Sequence, residues 1–179
     1  MTTIEPLMSD PTRTLIFGNS GSGKSTYAKA LAEQMACPYL DLDSIAWDPS
    51  AATPTRRALP DSAADIAAFT RRSDAWVIEG CYADLLELAM AKATTVVFLN
   101  PGVDTCIANA RNRPWEPHKY PSPEAQNANL DMLIDWIRDY TKRDDEFSLT
   151  AHRRLFDGFA GRKREFTSND HGTGAPGHR

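Results

Sequence analysis

Apolar and polar positions along this chain fall into two alternating regimes. Compact apolar runs occur at "RTLIF" (Arg13 to Phe17), "YLDLD" (Tyr39 to Asp43), "WVIEG" (Trp76 to Gly80) and "TTVVFL" (Thr94 to Leu99). Runs this short, ending at glycine or at polar residues, predict buried strands. The β-branched content of "TTVVFL" strengthens that reading for the fourth. Between the runs the pattern turns helical. "KSTYAKALAEQM" (Lys24 to Met35) keeps Tyr27, Ala30, Leu31 and Met35 on one face. "AADIAAFTRR", capped by Asp61 or Ser62, "ADLLELAMAKA" and Val103 to Asn112 predict three more helices. A long helix is expected from Glu124 to Lys142 and a shorter one from Leu149 to Phe159, with Ser148 as cap. "KREFTS" reads as a fifth, edge strand. Prolines interrupt the pattern twice. Pro49, Pro54 and Pro60 make Trp47 to Pro60 a loop, and Pro114, Pro117, Pro121 and Pro123 exclude regular structure from "RPWEPHKYPSP".

Strands alternating with helices predict an α/β fold, a parallel sheet with helices on both faces. In such sheets ligands bind beyond the carboxyl ends of the strands. Asp41, Asp43, Glu79, Asn100 and a glycine-rich loop all fall at strand C-termini, so one crevice should collect them.

Composition narrows this picture. A chain of 179 residues with 41% apolar content suits one domain. We expect it over residues 12–168, between a disordered lead (1–11) and a disordered tail (169–179) that lacks core-forming residues. The net charge of −4 argues against a nucleic-acid coat. Cys37, Cys81 and Cys106 fit no metal spacing and read as free thiols of a reducing cytosol. No apolar run approaches the roughly 18 residues of a membrane span. The opening "MTTIEPLMSD" lacks a signal-peptide core. A cytoplasmic location without membrane partners is the expectation.

The first strand runs into "GNSGSGKST", which satisfies G-x-x-x-x-G-K-[ST] from Gly18 to Ser25 in the strand–loop–helix context that motif requires. Gly18, Gly21 and Gly23 let backbone N–H groups turn inward without a Cβ in the way. Asn19, Ser20 and Ser22 complete the loop, and the following helix adds its positive end. Lys24 is expected to reach the β- and γ-phosphates of ATP, Ser25 to ligate Mg²⁺, and Thr26 to lie beside the α-phosphate. Phosphoryl transfer needs two further groups, an anion that holds the metal's waters and a base that orients the acceptor hydroxyl. Two apart on one strand, Asp41 and Asp43 would share a face and divide those roles. Glu79 ends an otherwise apolar strand, where a carboxylate needs a partner or a metal.

"RNRPWEPHKY" sets Arg111, Arg113, His118 and Lys119 beside Trp115 and Tyr120. An arginine near the γ-phosphate neutralises transition-state charge, and a closing segment keeps water out. This stretch (111–122) is a candidate lid. On the long helix Leu130, Leu133, Ile134 and Ile137 form a core stripe. Met132, Trp136, Tyr140 and Arg143 form a second stripe, facing either the cleft or boundary packing. Asp131, Asp135 and Asp139, together with the basic groups His152 to Arg154 and Gly161 to Glu165, read as solvated faces.

Taken in order, "IFGNSGSGKST", "YLDLDSIAW", "WVIEGCY", "TTVVFLN" and "WIRDYTKR" resemble the small P-loop kinases of the adenylate-kinase and shikimate-kinase type. They look closest to the branch described as DNA topology modulation proteins. The resemblance implies a three-layer P-loop NTPase fold with a five-stranded parallel sheet of order 2-3-1-4-5. It also implies an acceptor-binding insertion over about 44–73 and a lid near Arg111 to Tyr120. By similarity to shikimate kinases it associates Asp41 with Mg²⁺ and Asp43 with the acceptor hydroxyl. The third strand departs from both groups. It ends in "EGCY", so Glu79, Cys81 and Tyr82 stand where a glycine run or "DGFPR" would be, and the acceptor is not inherited. The resulting expectation is a phosphotransferase that uses ATP and Mg²⁺ on a small acceptor. Its catalytic groups would be Lys24, Asp43, Arg111, Arg113 and Arg143, its metal site Ser25, Asp41 and Glu79, and its acceptor contacts Asp43, Glu79 and Tyr82. The alternative is a nucleotide-dependent regulatory or DNA-linked ATPase or binding module.

Overall fold

The computed structural model describes residues 11–171. The expected disordered lead and tail lie outside the described residues, apart from Pro11 and Asn169 to His171. In chain order the strands are β1 (Arg13–Gly18), β2 (Tyr39–Asp41), β3 (Trp76–Gly80), β4 (Thr95–Leu99) and β5 (Arg162–Phe166). The helices are α1 (Lys24–Met35), α2 (Asp43–Ala46), α3 (Leu59–Thr70), α4 (Ala83–Met90), α5 (Val103–Arg111), α6 (Pro123–Ala128), α7 (Leu130–Arg138) and α8 (Leu149–Gly158). All strand pairs are parallel, and the sheet order is β2-β3-β1-β4-β5. This is the expected five-stranded arrangement with helices on both faces.

The alternation of side chains along β1 builds the layers. Leu15 and Phe17 point into one core with Leu42, Phe69, Trp76, Leu86 and Phe98, covered by α3, α4 and α8. Ile16 points the other way, into a core with Val77, Val97, Ala28 and Ala32 beneath α1. Leu15, Ile16 and Phe17 are fully buried, and each such side chain stabilises the fold by about 1.5–3 kcal/mol. A third cluster joins α5 to α7 through Cys106, Ile107, Ile134 and Ile137. At the sheet edge β5 exposes Arg162, Lys163 and Arg164; charges on an edge strand oppose pairing with another chain.

Several local expectations are corrected. β2 stops at Asp41, and Asp43 opens α2 instead of extending the strand. The Asp41 carboxylate accepts the Asp43 N–H at 2.9 Å and the Ser44 hydroxyl donates to the Asp41 carbonyl, so side-chain bonds turn the chain there. The long helix is interrupted. α6 ends and α7 begins at Asn129, whose side chain donates back to the Ala125 carbonyl, and a 3₁₀ turn covers Asp139–Thr141. α3 starts at Leu59 with Pro60 in its first turn, a position that proline favours because no N–H partner is needed there. Ser62, expected as a cap, lies inside that helix and donates to the Ile45 carbonyl. His152 is fully buried instead of solvated.

Candidate active site

The loop between β1 and α1 takes its shape from glycine. Gly21 and Gly23 have φ of 75° and 85°, the left-handed region that costs other residues strain. A Cβ on Gly21 would sit 2.4 Å from the Cys106 carbonyl oxygen of α5. Asn109 of the same helix donates to the Gly21 carbonyl at 2.8 Å, and Asn19 donates to the Ile137 carbonyl at the end of α7. The loop is thus anchored from outside while α1 starts at Lys24. In this state Lys24 Nζ donates to the Asn19 carbonyl at 3.2 Å. Burial works against the Lys24 ammonium, but Cys81, Glu79 and Asp43 outweigh it and hold its pKa above the ordinary value.

Behind the loop Glu79 lies near the end of β3, Asp41 ends β2 and Asp43 opens α2. Glu79 is 1% exposed, and its Oε1 accepts from the Ser25 hydroxyl at 2.7 Å and from the Tyr39 hydroxyl at 2.8 Å. Asp41 pairs in register with Glu79 across the strands. Burial, with the charges of Glu79 and Asp43, raises the Asp41 carboxyl to about 6. Lys24 and Lys119 are the cations that face these carboxylates. The Tyr82 hydroxyl donates to Asp43 Oδ1 and accepts from Trp47 Nε1 at 2.8 Å. Burial, with Cys81 and Asp43, pushes the Tyr82 phenol upward, so it stays a donor. The other oxygen of Asp43, Oδ2, lies 3.5 Å from Lys119 Nζ.

Lys119 comes from the proline-rich segment, which the structure lays over the loop. A cavity of about 340 Å³ between them is lined by Lys24, Ser25 and Thr26 below and by Arg113, Glu116 and Lys119 above. The segment is held in place by Gln126, a buried residue whose amide accepts from Glu116 N–H and donates to the Pro114 carbonyl. Trp115 Nε1 donates to the Tyr120 carbonyl within it. Arg113 pairs with Glu116 at 3.1 Å.

The structure therefore brings together the loop from Gly18 to Thr26, Asp41, Asp43, Glu79, Tyr82 and Arg113. It does not bring in every candidate. Arg111 is exposed on the last turn of α5 and does not line this cavity. Arg143 stacks on Trp136 at 3.4 Å and pairs with Asp145. On its stripe, Met132 is 68% exposed while Tyr140 is buried. Asn100 donates to Glu165 on β5 and so joins the sheet edge. Sequence reasoning missed Tyr39 and Arg56 as parts of the site, and placed Lys119 in the candidate lid without giving it a role. Arg56 lies against the Tyr82 ring at 4.9 Å and forms ion pairs with Asp84 and Glu146, fastening the segment after α2 to α4. A lysine facing the aspartate that opens α2 is a tertiary signal; the basic content of the proline-rich stretch was the available hint.

Among the described residues no group of three or more His, Cys, Asp or Glu side chains forms a metal cage. A serine hydroxyl beside carboxylates is instead the donor set of a hard cation held by few protein oxygens and completed by phosphates, which fits Mg²⁺. No helix among the described residues is long and apolar enough to cross a membrane.

A family model described as "AAA domain" matches residues 14–122, which hold β1 to β4, the loop and the start of the proline-rich segment. No curated protein matches the chain. Solved structures do. A gluconokinase from Sinorhizobium meliloti 1021 is 18% identical with a TM-score of 0.46, over 83% of this chain and 95% of that chain. A shikimate kinase from Acinetobacter baumannii in complex with shikimate is 17% identical with a TM-score of 0.41, over 82% and 92%. A deoxyadenosine kinase from M. mycoides with bound dATP is 9% identical with a TM-score of 0.46, over 88% and 91%. The fold is that of a P-loop NTPase.

Proposed function

The chain belongs to the AAA domain family, and within it we propose an ATP-dependent phosphotransferase that moves the γ-phosphoryl group to a hydroxyl of a small acceptor. The observation that carries this reading is the 3.5 Å approach of Lys119 to Asp43 over the loop. A lid cation meeting the carboxylate that opens α2, over the loop, suits transfer to a positioned acceptor.

In this reading the backbone of Gly18 to Thr26 cradles the triphosphate and Lys24 neutralises its β- and γ-oxygens. Ser25, with Asp41 and Glu79, would hold Mg²⁺, which when bound offsets phosphate charge. Tyr82 fixes Asp43 through Oδ1, leaving Oδ2 to accept the proton of the acceptor hydroxyl. That proton leaves as the hydroxyl oxygen forms its bond to the γ-phosphorus and the bond to the β-bridging oxygen breaks. Lys119 and Arg113 stabilise the charge on the transferring group. Arg111 and Arg143, which do not line the cavity, take no part in the transfer in this reading. The motifs shared with the branch described as DNA topology modulation proteins fit the same chemistry. An acidic chain with no DNA-reading motif favours a small acceptor over DNA.

The test is an ATP-consumption screen over nucleosides, sugars, cyclitols and nucleotides, with Asp43→Asn as control. Acceptor-dependent phosphorylation that collapses in the control supports the proposal. Consumption without any acceptor, undiminished in the control, replaces it with the regulatory ATPase.

A further inference from the structure

Glu116 stands midway between the two cations of the lid, three residues after Arg113 and three before Lys119. Its Oε2 lies 3.1 Å from Arg113 Nη1 and its Oε1 lies 3.6 Å from Lys119 Nζ. The backbone holds it there. The Glu116 N–H donates to Gln126 Oε1 at 2.8 Å, and the Glu116 carbonyl accepts from the N–H groups of Lys119 and Tyr120, both at 3.0 Å. That turn brings Lys119 back over Glu116. All three side chains line the cavity of about 340 Å³ opposite Lys24, Ser25 and Thr26, so an acid faces the place where the loop would hold anionic phosphates. Its contact with Arg113 is close but poorly aligned. Glu116 Oε2 and Arg113 Nε are both buried, and among the described residues neither makes a hydrogen bond. Buried polar atoms left in this way are costly, and a phosphate group matches the guanidinium fork with two parallel bonds. Burial works against the Lys119 ammonium, but Asp43 and then Glu116 outweigh it and hold its pKa above the ordinary value.

We propose that Glu116 competes with the phosphates of the nucleotide for Arg113 and Lys119, and is the positioning residue of the lid. This rests on the phosphotransferase reading of the site and adds how the lid cations are held and released. Arg113 and Lys119 repel each other. The carboxylate between them offsets that repulsion and keeps both beside the loop. A triphosphate brings more negative charge to the same two cations, and its oxygens displace Glu116 from them. Lys119 keeps its contact with Asp43 through this exchange, because Asp43 and Glu116 are separate partners. When the transferred group leaves with the acceptor, Glu116 regains both cations, and the lid lets go of the remaining phosphates. The cost is a weaker grip on nucleotide than two unpaired cations would give.

Calorimetric titration of the full chain in Mg²⁺ with two probes, ATP and inorganic tripolyphosphate, tests this. Glu116→Gln keeps the shape of the side chain and removes its charge. It is expected to tighten both probes by roughly 3- to 10-fold, the size of two partly exposed ion pairs. Replacing a merely structural residue would weaken binding instead. Glu116→Ala, a second variant for the case in which the amide disturbs the turn, should tighten both probes as well. Glu124→Gln makes the same change of charge at an exposed position on α6 and should leave both affinities at the wild-type value. Combined with Lys119→Ala, the gain from Glu116→Gln should shrink, because one of the two contested cations is gone. Weaker or unchanged binding in both Glu116 variants, an equal gain in Glu124→Gln, or a gain undiminished beside Lys119→Ala overturns the proposal. In those cases the loop still binds phosphate and the phosphotransferase reading stands. Failure of the wild type to bind either ATP or tripolyphosphate overturns both.

Discussion

The Ser25 hydroxyl donates a 2.7 Å hydrogen bond to Glu79 Oε1, joining the first turn of α1 to the end of β3. Tyr39 donates to the same oxygen from β2. One carboxylate thus fixes the position of the loop's serine relative to two strands. Glu79→Ala leaves both hydroxyls without their acceptor and is expected to cost about 1–3 kcal/mol of stability, read from urea unfolding. Tyr39→Phe, which removes one donor and leaves Glu79 with Ser25, should cost about 1 kcal/mol. Glu79→Gln should keep most of the stability and weaken the Mg²⁺ dependence of nucleotide binding. An unchanged metal dependence would place Glu79 outside the metal's surroundings.

Cations divide by where the fold puts them. Lys24→Ala is expected to abolish phosphoryl transfer with the thermal midpoint preserved. Lys119→Ala should lower turnover by roughly 100-fold, the usual scale for losing one group that faces developing charge. Arg111→Ala, at an exposed helix end, should leave turnover near the wild-type value. Steady-state assays of the three variants decide the order, and an Arg111 effect as large as that of Lys119 would show that the lid moves further than its resting geometry implies.

Gln126 holds the lid backbone at two points, the Glu116 N–H and the Pro114 carbonyl. Gln126→Ala frees both groups to water. The expected outcome is faster amide exchange across 114–120 and a higher ratio of ATP hydrolysis to transfer, because a looser cover admits water. A variant with unaltered exchange and partitioning would mean that the prolines alone keep the lid closed.

A half-buried carboxylate and a buried imidazole give stability opposite pH slopes. Asp41 is raised from an ordinary 3.8 to about 6, by burial first and then by Glu79 and Asp43. The folded chain holds that proton more tightly, so the contribution is full below 3.8 and is lost as pH rises through about 6. His152 is lowered from 6.5 to about 4 by burial. The folded chain keeps it neutral, so its contribution is full above 6.5 and is lost as pH falls through about 4. Asp41→Asn removes only the first. Between pH 4 and 6.5 the melting temperature of that variant should climb with pH more steeply than the wild type. Parallel curves would show that Asp41 titrates normally.

Patterns of nearby residues made the framework legible. Apolar runs of strand length, separated by helical periodicity, determined a parallel α/β sheet. The spacing of three glycines, a lysine and a serine determined the phosphate loop, because its geometry closes within nine residues. Aspartates and a glutamate at strand ends pointed to the crevice, since strand ends converge in any parallel sheet. Tertiary structure decided the rest. Asp43 left the strand because the Asp41 side chain captured its N–H. His152, written among arginines, went into the core because Tyr140 and the Cys81 carbonyl, 12 and 71 residues away, satisfy both ring nitrogens. Lys119, not Arg111, met Asp43 because Gln126 set the path of the lid. Each of those outcomes rests on a hydrogen bond or ion pair whose partners the fold brings together. Local patterning records which residues can form such bonds, and only the packed chain chooses among them.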